Sequence, residues 1–312
     1  MWATNSLGGF YSNNELSREL RTVAQPAQKH RQFVQVKGAK GSKRGDLLFF
    51  DKNYNIVTAG GTLVETSTIP STNFTIARGT LTITEYGNSI PYSGKLEALS
   101  EFDVENTILV ALKNDMGKVL DSQAAIQFTS ADLKAVNTAS GAAAVITANG
   151  TATVTATANL TAVSLRSIVD DARKRNIPFY DGNNYVCIGS VELLSGFHAD
   201  TGSSGWISVS QYTMPQAERI FRGEIGSFYM TRFVEETNFH PNTIGSGNRG
   251  AGVLFGADAV MEGVAIPEEI RAKVPADFGR DQALAWYALL GWQKIWNDVT
   301  DGDERIYHIT SA

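Results

Sequence analysis

The chain is poor in the side chains that catalysis and metal binding most often use. Its 312 residues include one cysteine, Cys187, which excludes an internal disulfide and any multi-cysteine metal site within one chain. Cys187 lies in the apolar run Tyr185-Val186-Cys187-Ile188, where a buried, inert thiol is expected rather than a nucleophile. The four histidines, His30, His198, His240 and His308, are far apart. None belongs to an H-x-H, H-E-x-x-H or H-x-E pattern, so each is expected to be structural or superficial. No G-x-S-x-G elbow marks a serine nucleophile. The longest apolar run, Leu284 to Trp292, is too short to span a bilayer. The opening MWATNSLGGF has neither the charged nor the apolar region of a secretory signal, so synthesis in a reducing cytoplasm is expected. Without export, the Asn-x-Ser/Thr patterns at Asn73, Asn149 and Asn159 carry no weight. We expect no cofactor, no metal and no catalytic residue.

Two motifs are decoys. Gly245-Ser246-Gly247-Asn248-Arg249-Gly250 fits G-x-G-x-x-G, but turn-forming residues precede it where a dinucleotide site needs a strand, so a loop is expected. Asp298, Asp301, Asp303 and Glu304 cluster as in a calcium loop, yet Val299 and His308 fall where oxygen ligands belong, and a solvated turn is the better reading. The paired acids Asp170-Asp171, Glu235-Glu236 and Glu268-Glu269 are adjacent in sequence and need not share a site.

What is present is a folded composition, with 43% hydrophobic and 19% charged residues, and a charge asymmetry. Residues 1–60 hold 9 Lys and Arg against 4 Asp and Glu; the rest hold 18 against 28, completing the chain's 27 and 32. A basic N-terminal arm therefore precedes an acidic body, and it can meet a like neighbour by opposite charge or remain solvated. Lys29, Arg31, Lys37, Lys40, Lys43 and Arg44 have no acid among them. No nucleic-acid-binding signature accompanies them, so an arm touching neighbouring subunits is favoured over phosphate binding.

Residues 1–45 show no sustained period, apart from a short helix at Asn13–Arg21. From Asp46 to Thr84, short β-rich runs (47–50, 55–58, 62–65, 74–76 and 80–84) are broken by Gly, Pro and Asn, predicting hairpins with too few bulky residues for their own core. Residues 95–136 are the most helical. Ser100-Glu101-Phe102-Asp103 fits a capping box, and Phe102, Leu109, Leu112, Met116, Val119 and Leu120 form an apolar stripe opposite Lys113, Asn114, Lys118 and Asp121. A helix over 101–128 would be about 42 Å long. Asn149-Gly150 between alternating runs predicts a hairpin. Thr161 or Ser164 opens a helix carrying Leu165, Ile168, Val169 and Ala172, ended by Asn176 and Pro178. Tyr185–Ile188 reads as a buried strand and Phe228–Val234 as an alternating one. The stretch ALAWYALLGWQKIW, helical by Ala and Leu, is read as strand because Gly291 interrupts it, followed by a turn at Asp301-Gly302 and a strand at 305–310.

This order resembles the major capsid proteins of tailed double-stranded-DNA bacteriophages, with the HK97-like fold and closest to the podovirus-type coat proteins. The residues carrying the resemblance are GTLTITEYGNSIPYSGKLEALSEFDVENTILVALKNDMGKVLD (79–121), DDARKRNIPFYDGNNYVCIGS (170–190) and RGEIGSFYMTRFVEETNF (222–239). The resemblance implies an α+β fold: an N-terminal arm (1–44), an extended β-hairpin E-loop (45–90), and a P-domain with a long spine helix (91–140). An α/β A-domain (141–238) and a returning P-domain with C-terminal strands (239–312) follow, with Glu85–Gly94 as the hinge between E-loop and helix. It further implies self-assembly into hexamers and pentamers of an icosahedral shell in the virion. That shell would enclose DNA without sequence-specific binding, away from membranes, with scaffolding, decoration and portal proteins as further partners. Subunit-contact candidates are Lys37, Lys40, Lys43, Arg44, Glu65 and Glu85, and the spine-helix core is Phe102, Leu109, Leu112, Met116 and Leu120. Covalent cross-linking is not expected. An encapsulin-like compartment, a β-rich adhesin and an uncharacterised enzyme are the rival readings.

Overall fold

One helix crosses nearly the whole body. In the computed structural model, which describes residues 28–38, 45–54, 60–100, 103–199, 224–238, 250–275, 277–297 and 303–312, helix α2 runs from Val104 to Thr129, about 39 Å. Asp103 caps it by accepting from the Asn106 N–H. The N-cap is thus Asp103 rather than the expected Ser100: Ser100 is the C-cap of a separate short helix, α1 (Gly94–Leu99), whose own N-cap is Ser93. Leu112 and Leu120 are fully buried, while Leu109, Met116 and Val119 are half-buried against the same core. Phe102 lies outside the described residues. Asp121, expected on the solvent side, is buried with Ala124, Ala125 and Phe128.

Four strands form the sheet beneath α2: β1 (Gln35–Gly38), β4 (Thr84–Ser93), β11 (Val260–Ala272) and β12 (Asp281–Lys294), in the order β1-β11-β12-β4. Residues 283–294 are thus strand. Trp286, Ala288, Leu290 and Trp292 of β12 face the helix, a period-two pattern that no helix could present on one side. Trp286 Nε1 donates to Asp115 Oδ2 on α2 at 2.9 Å. The Glu85–Gly94 segment, expected to be a hinge with a turn at Gly87-Asn88, is largely β4 and pairs with β12 from Thr84 to Ser93. Residues 35–38, expected in an unstructured arm, pair in parallel with β11 as β1.

The second sheet has seven strands in the order β6-β5-β13-β10-β7-β9-β8. They are β5 (Leu133–Val136), β6 (Val145–Thr147), β7 (Tyr185–Gly189), β8 (Glu224–Phe228), β9 (Thr231–Glu235), β10 (Ala251–Phe255) and β13 (Ile306–Thr310). Its Val186, Ile188, Val234, Val253, Phe255 and Ile306 pack with α2. Tyr185, Cys187, Phe233, Leu254, Tyr307 and Ile309 pack on the other face with helices α3 (Ala162–Lys174) and α4 (Val191–His198). A strand covered on both faces needs an unbroken apolar run, which is what 185–188 supplies. Helix α3 opens with Thr161 and Ser164 together, each side chain bonded to the other's backbone N–H. Leu165, Ile168, Val169 and Ala172 are buried, and the helix is followed by Asn176 at φ 58°.

One expected hairpin is displaced and one expected strand is split. No strand follows Asn149-Gly150; β6 pairs instead with the earlier β5, and the Gly150 N–H is taken by Asp132 O. Phe228–Val234 is not one strand but the end of β8, a turn at Tyr229 and Met230, and most of β9. Both turn residues have positive φ, the hairpin geometry normally supplied by Asn-Gly, so sequence alone hid it.

Strands β2 (Leu47–Asn53) and β3 (Ile76–Thr82) form a separate antiparallel pair. Its base is keyed into the four-stranded sheet. Gly263 and Gly291 face each other across β11 and β12, and Leu81, fully buried, lies against both: a Cβ on either would come within 2.8 Å of Leu81 Cδ2. At Gly291 it would also stand 2.2 Å from the Thr82 carbonyl oxygen. Gly291→Ala should therefore force β3 off the sheet, costing about 1–3 kcal/mol in denaturant titration and speeding proteolysis between residues 54 and 75. Leu120→Ala, which empties a core position, should cost about 2–5 kcal/mol, whereas Lys113→Ala at the exposed face should stay within about 0.5 kcal/mol.

Candidate assembly site

The β2–β3 pair has little apolar core of its own. Phe50 and Leu81 bury only by joining Met261 of β11 and Ile295 after β12, and Lys52 Nζ donates to Asn297 Oδ1 at 2.8 Å. Beyond that base, Leu47, Phe49, Leu63, Val64, Ile69, Phe74 and Ile76 are exposed, Ile69 by 70% and Phe74 by 65%. These are seven of the seventeen large apolar side chains exposed among the described residues. Such concentration in one projecting loop is the mark of a surface that another molecule covers. Val274 and Phe278, at the turn between β11 and β12, form a second exposed apolar point.

The expected contact residues do not gather. Lys37 is exposed on β1, with Nζ 3.4 Å from the Phe49 carbonyl oxygen. Glu65 lies exposed in a turn between β2 and β3. Glu85 lies exposed on β4 and accepts from Tyr287 Oη at 3.0 Å. Among the described residues no hydrogen bond or ion pair joins these three; Lys40, Lys43 and Arg44 fall outside the described residues.

Two ionic clusters lie inside the body, and the sequence signalled neither. Arg31, expected in the mobile arm, places its guanidinium between Glu262 (2.7 Å) and Glu268 (2.9 Å), residues more than 230 positions away. Burial opposes its charge, but the two carboxylates hold its pKa above the ordinary value. Next to it His30, fully buried, contacts Glu236 Oε2 through Nδ1 and stands 3.9 Å from Asp121 Oδ2. The Arg31 N–H donates to Asp121 Oδ1 at 3.0 Å, and Asn238 Nδ2 to Asp121 Oδ2 at 3.4 Å. Burial would raise Asp121, but His30, a hydrogen bond with Glu236 and the Arg31 N–H hold it well below the usual carboxylate range. Burial pushes Glu236 up to about 7 against the pull of His30.

The second cluster lies just before β13; of the acids expected in a solvated turn there, Asp298 and Asp301 fall outside the described residues, and Glu304 is buried rather than solvated. Glu304 is fully buried and ion-paired to Lys294 at 3.0 Å; Lys294 also reaches Asp132 at 3.1 Å. Burial pushes Glu304 up to about 7, with Lys294 pulling the other way. Nearby, Lys134 Nζ donates to Thr129 O at 2.9 Å and sits 3.3 Å from His308 Nδ1. Burial, then the charge of Lys134, pushes His308 down to about 3. Cys187 is fully buried with its thiol pushed up to about 12 by burial, which leaves it unreactive, as expected. No described helix is long and apolar enough to cross a membrane.

Compared by sequence, the chain matches no family model and no curated protein. Compared by structure, it matches the capsid of Helicobacter pylori bacteriophage KHP30 at TM-score 0.70, 13% identity, over 100% of this chain and 98% of that one. The capsid of Ralstonia phage GP4 matches at 0.66 and 16%, over 100% and 98%. A chain from the capsid of a native GTA particle matches at 0.61 and 15%, over 99% and 100%. At these identities the likeness establishes the fold: mixed α+β and HK97-like, the fold of tailed-phage capsid subunits.

Because the buried His308 refuses a proton that the unfolded chain accepts near its ordinary value of about 6.5, stability present above that pH is lost as pH falls toward 3. His308→Gln should remove about one proton from that acid slope, ~1.4 kcal/mol per pH unit, read by denaturant titration between pH 6.5 and 4.

Proposed function

We propose that the chain is a major capsid protein, a structural shell subunit of a tailed double-stranded-DNA phage and not an enzyme. The observation that carries this is the combination of a capsid fold over its full length with a projecting apolar loop that its own chain leaves uncovered. A soluble monomer rarely leaves so many large apolar side chains together in water, whereas a subunit of a closed shell buries them against a neighbour on every contact.

In this reading the β2–β3 pair and residues 54–75 are the E-loop, α2 and the four-stranded sheet are the P-domain, and the seven-stranded sheet with α3 and α4 is the A-domain around the capsomer axes. Each E-loop lies on an adjacent subunit, and hexamers and pentamers close the shell. The work is assembly and containment. DNA is enclosed without sequence reading, which suits a body whose acids outnumber its bases. Synthesis takes place in the bacterial host cytoplasm, and scaffolding, portal and decoration proteins are the further partners. Lys40, Lys43 and Arg44 supply positive charge for a neighbour's acidic body, and Glu65 and Glu85 are acidic counterparts.

Phe49→Ser combined with Phe74→Ser should abolish shells in electron microscopy, while the denaturation midpoint of the unassembled subunit changes little, since both side chains are exposed already. Shells of normal size from this variant would overturn the role of the loop, and shells that package protein cargo instead of DNA would favour the encapsulin-like alternative.

A further inference from the structure

His30, Asp121 and Glu236 come from three separate segments: the stretch before β1, helix α2 and the residue after β9. Their ligand-capable atoms, one imidazole nitrogen and one oxygen from each carboxylate, all lie within 4.8 Å of one another, and all three side chains are buried. The group is short of positive charge. The guanidinium of Arg31 is turned away to Glu262 and Glu268, and among the described residues no Lys or Arg pairs with Asp121 or Glu236. Glu236 Oε2 meets His30 Nδ1, while Oε1 has no hydrogen-bond donor although the side chain is fully buried. An ionised carboxylate left in that state is costly unless a cation completes it. The Phe128 ring, 5.7 Å from that of His30, helps to wall the group from water.

We propose that His30, Asp121 and Glu236 bind a divalent transition-metal cation, of the zinc or manganese class, that clasps the N-terminal segment to the spine helix. One nitrogen and two oxygens suit those ions better than calcium or magnesium, which take mostly oxygen donors. Against the effect of burial, the carboxylates favour a protonated His30 when no ion is bound. An ion that displaces this proton leaves two negative charges and a neutral imidazole around a doubly charged centre, and meets the orphaned Oε1 of Glu236. The clasp ties residues 28–34 to the body from within, independently of any contact between subunits. It therefore stands whether or not the capsid reading holds.

The test uses the full chain, dialysed against a chelator and then titrated with Zn²⁺ or Mn²⁺ alone. Wild type should bind one equivalent, and at a hundredfold excess over the dissociation constant its thermal midpoint should rise by about 5 °C. Glu236→Gln, which keeps shape and packing, and His30→Ala should each lose both effects. His198→Ala, at a histidine outside the cluster, should retain them. Failure of wild type to bind an equivalent overturns the site whatever the variants do. So does equal binding by wild type and Glu236→Gln, which would place the metal elsewhere. A midpoint that ignores metal and responds only to pH would also overturn it, assigning the missing charge to a shared proton.

Discussion

The burial of one face of α2 against two sheets at once is the constraint on which the rest depends. Ile108, Leu112, Leu120, Ala124 and Phe128 share a single core with Trp286 and Leu290 of the four-stranded sheet and with Ile188, Val253 and Phe255 of the seven-stranded one. Among the described residues α2 is the main cover of that face, with Phe33 and Val34 beside it. A cut through the helix would therefore expose both, and the body behaves as one packed unit built along a rod. Because protein interiors are packed to near-crystal density, such a rod transmits strain between its ends.

The loop formed by β2 and β3 stands outside that unit. It shares a small core of Phe50, Leu81, Met261 and Ile295 with the body and is registered by the Gly263–Gly291 slot. The division is physically consistent with assembly. The base is fixed by close packing, so the direction of the loop is set, while the apolar outer part stays exposed.

The N-terminal segment shows how far linear reading reaches. Its basic residues read as an arm, and Lys37 is indeed exposed. Arg31, however, is neutralised by Glu262 and Glu268, and His30 is buried against Asp121 and Glu236. The acids that meet these two residues are between 90 and 240 positions away in the chain, and no periodicity or spacing links such partners. Lys294 and Glu304 are only ten positions apart, yet no spacing signal announced their pairing or the burial of Glu304.

Local pattern by itself determined the elements whose signal is repeated along them: α2 from its apolar stripe, α3 from its cap and four buried positions, β7 from its unbroken run, and β12 from alternation around Gly291. It also placed Cys187 in a buried apolar run. Only the tertiary structure decided which strands pair. The β5–β6 hairpin, the positive-φ turn at Tyr229 and Met230, and the conversion of a supposed hinge into β4 all follow from long-range partners. Strand pairing and ion pairing are contacts between distant residues, and their energy is realised only when the chain has closed around α2.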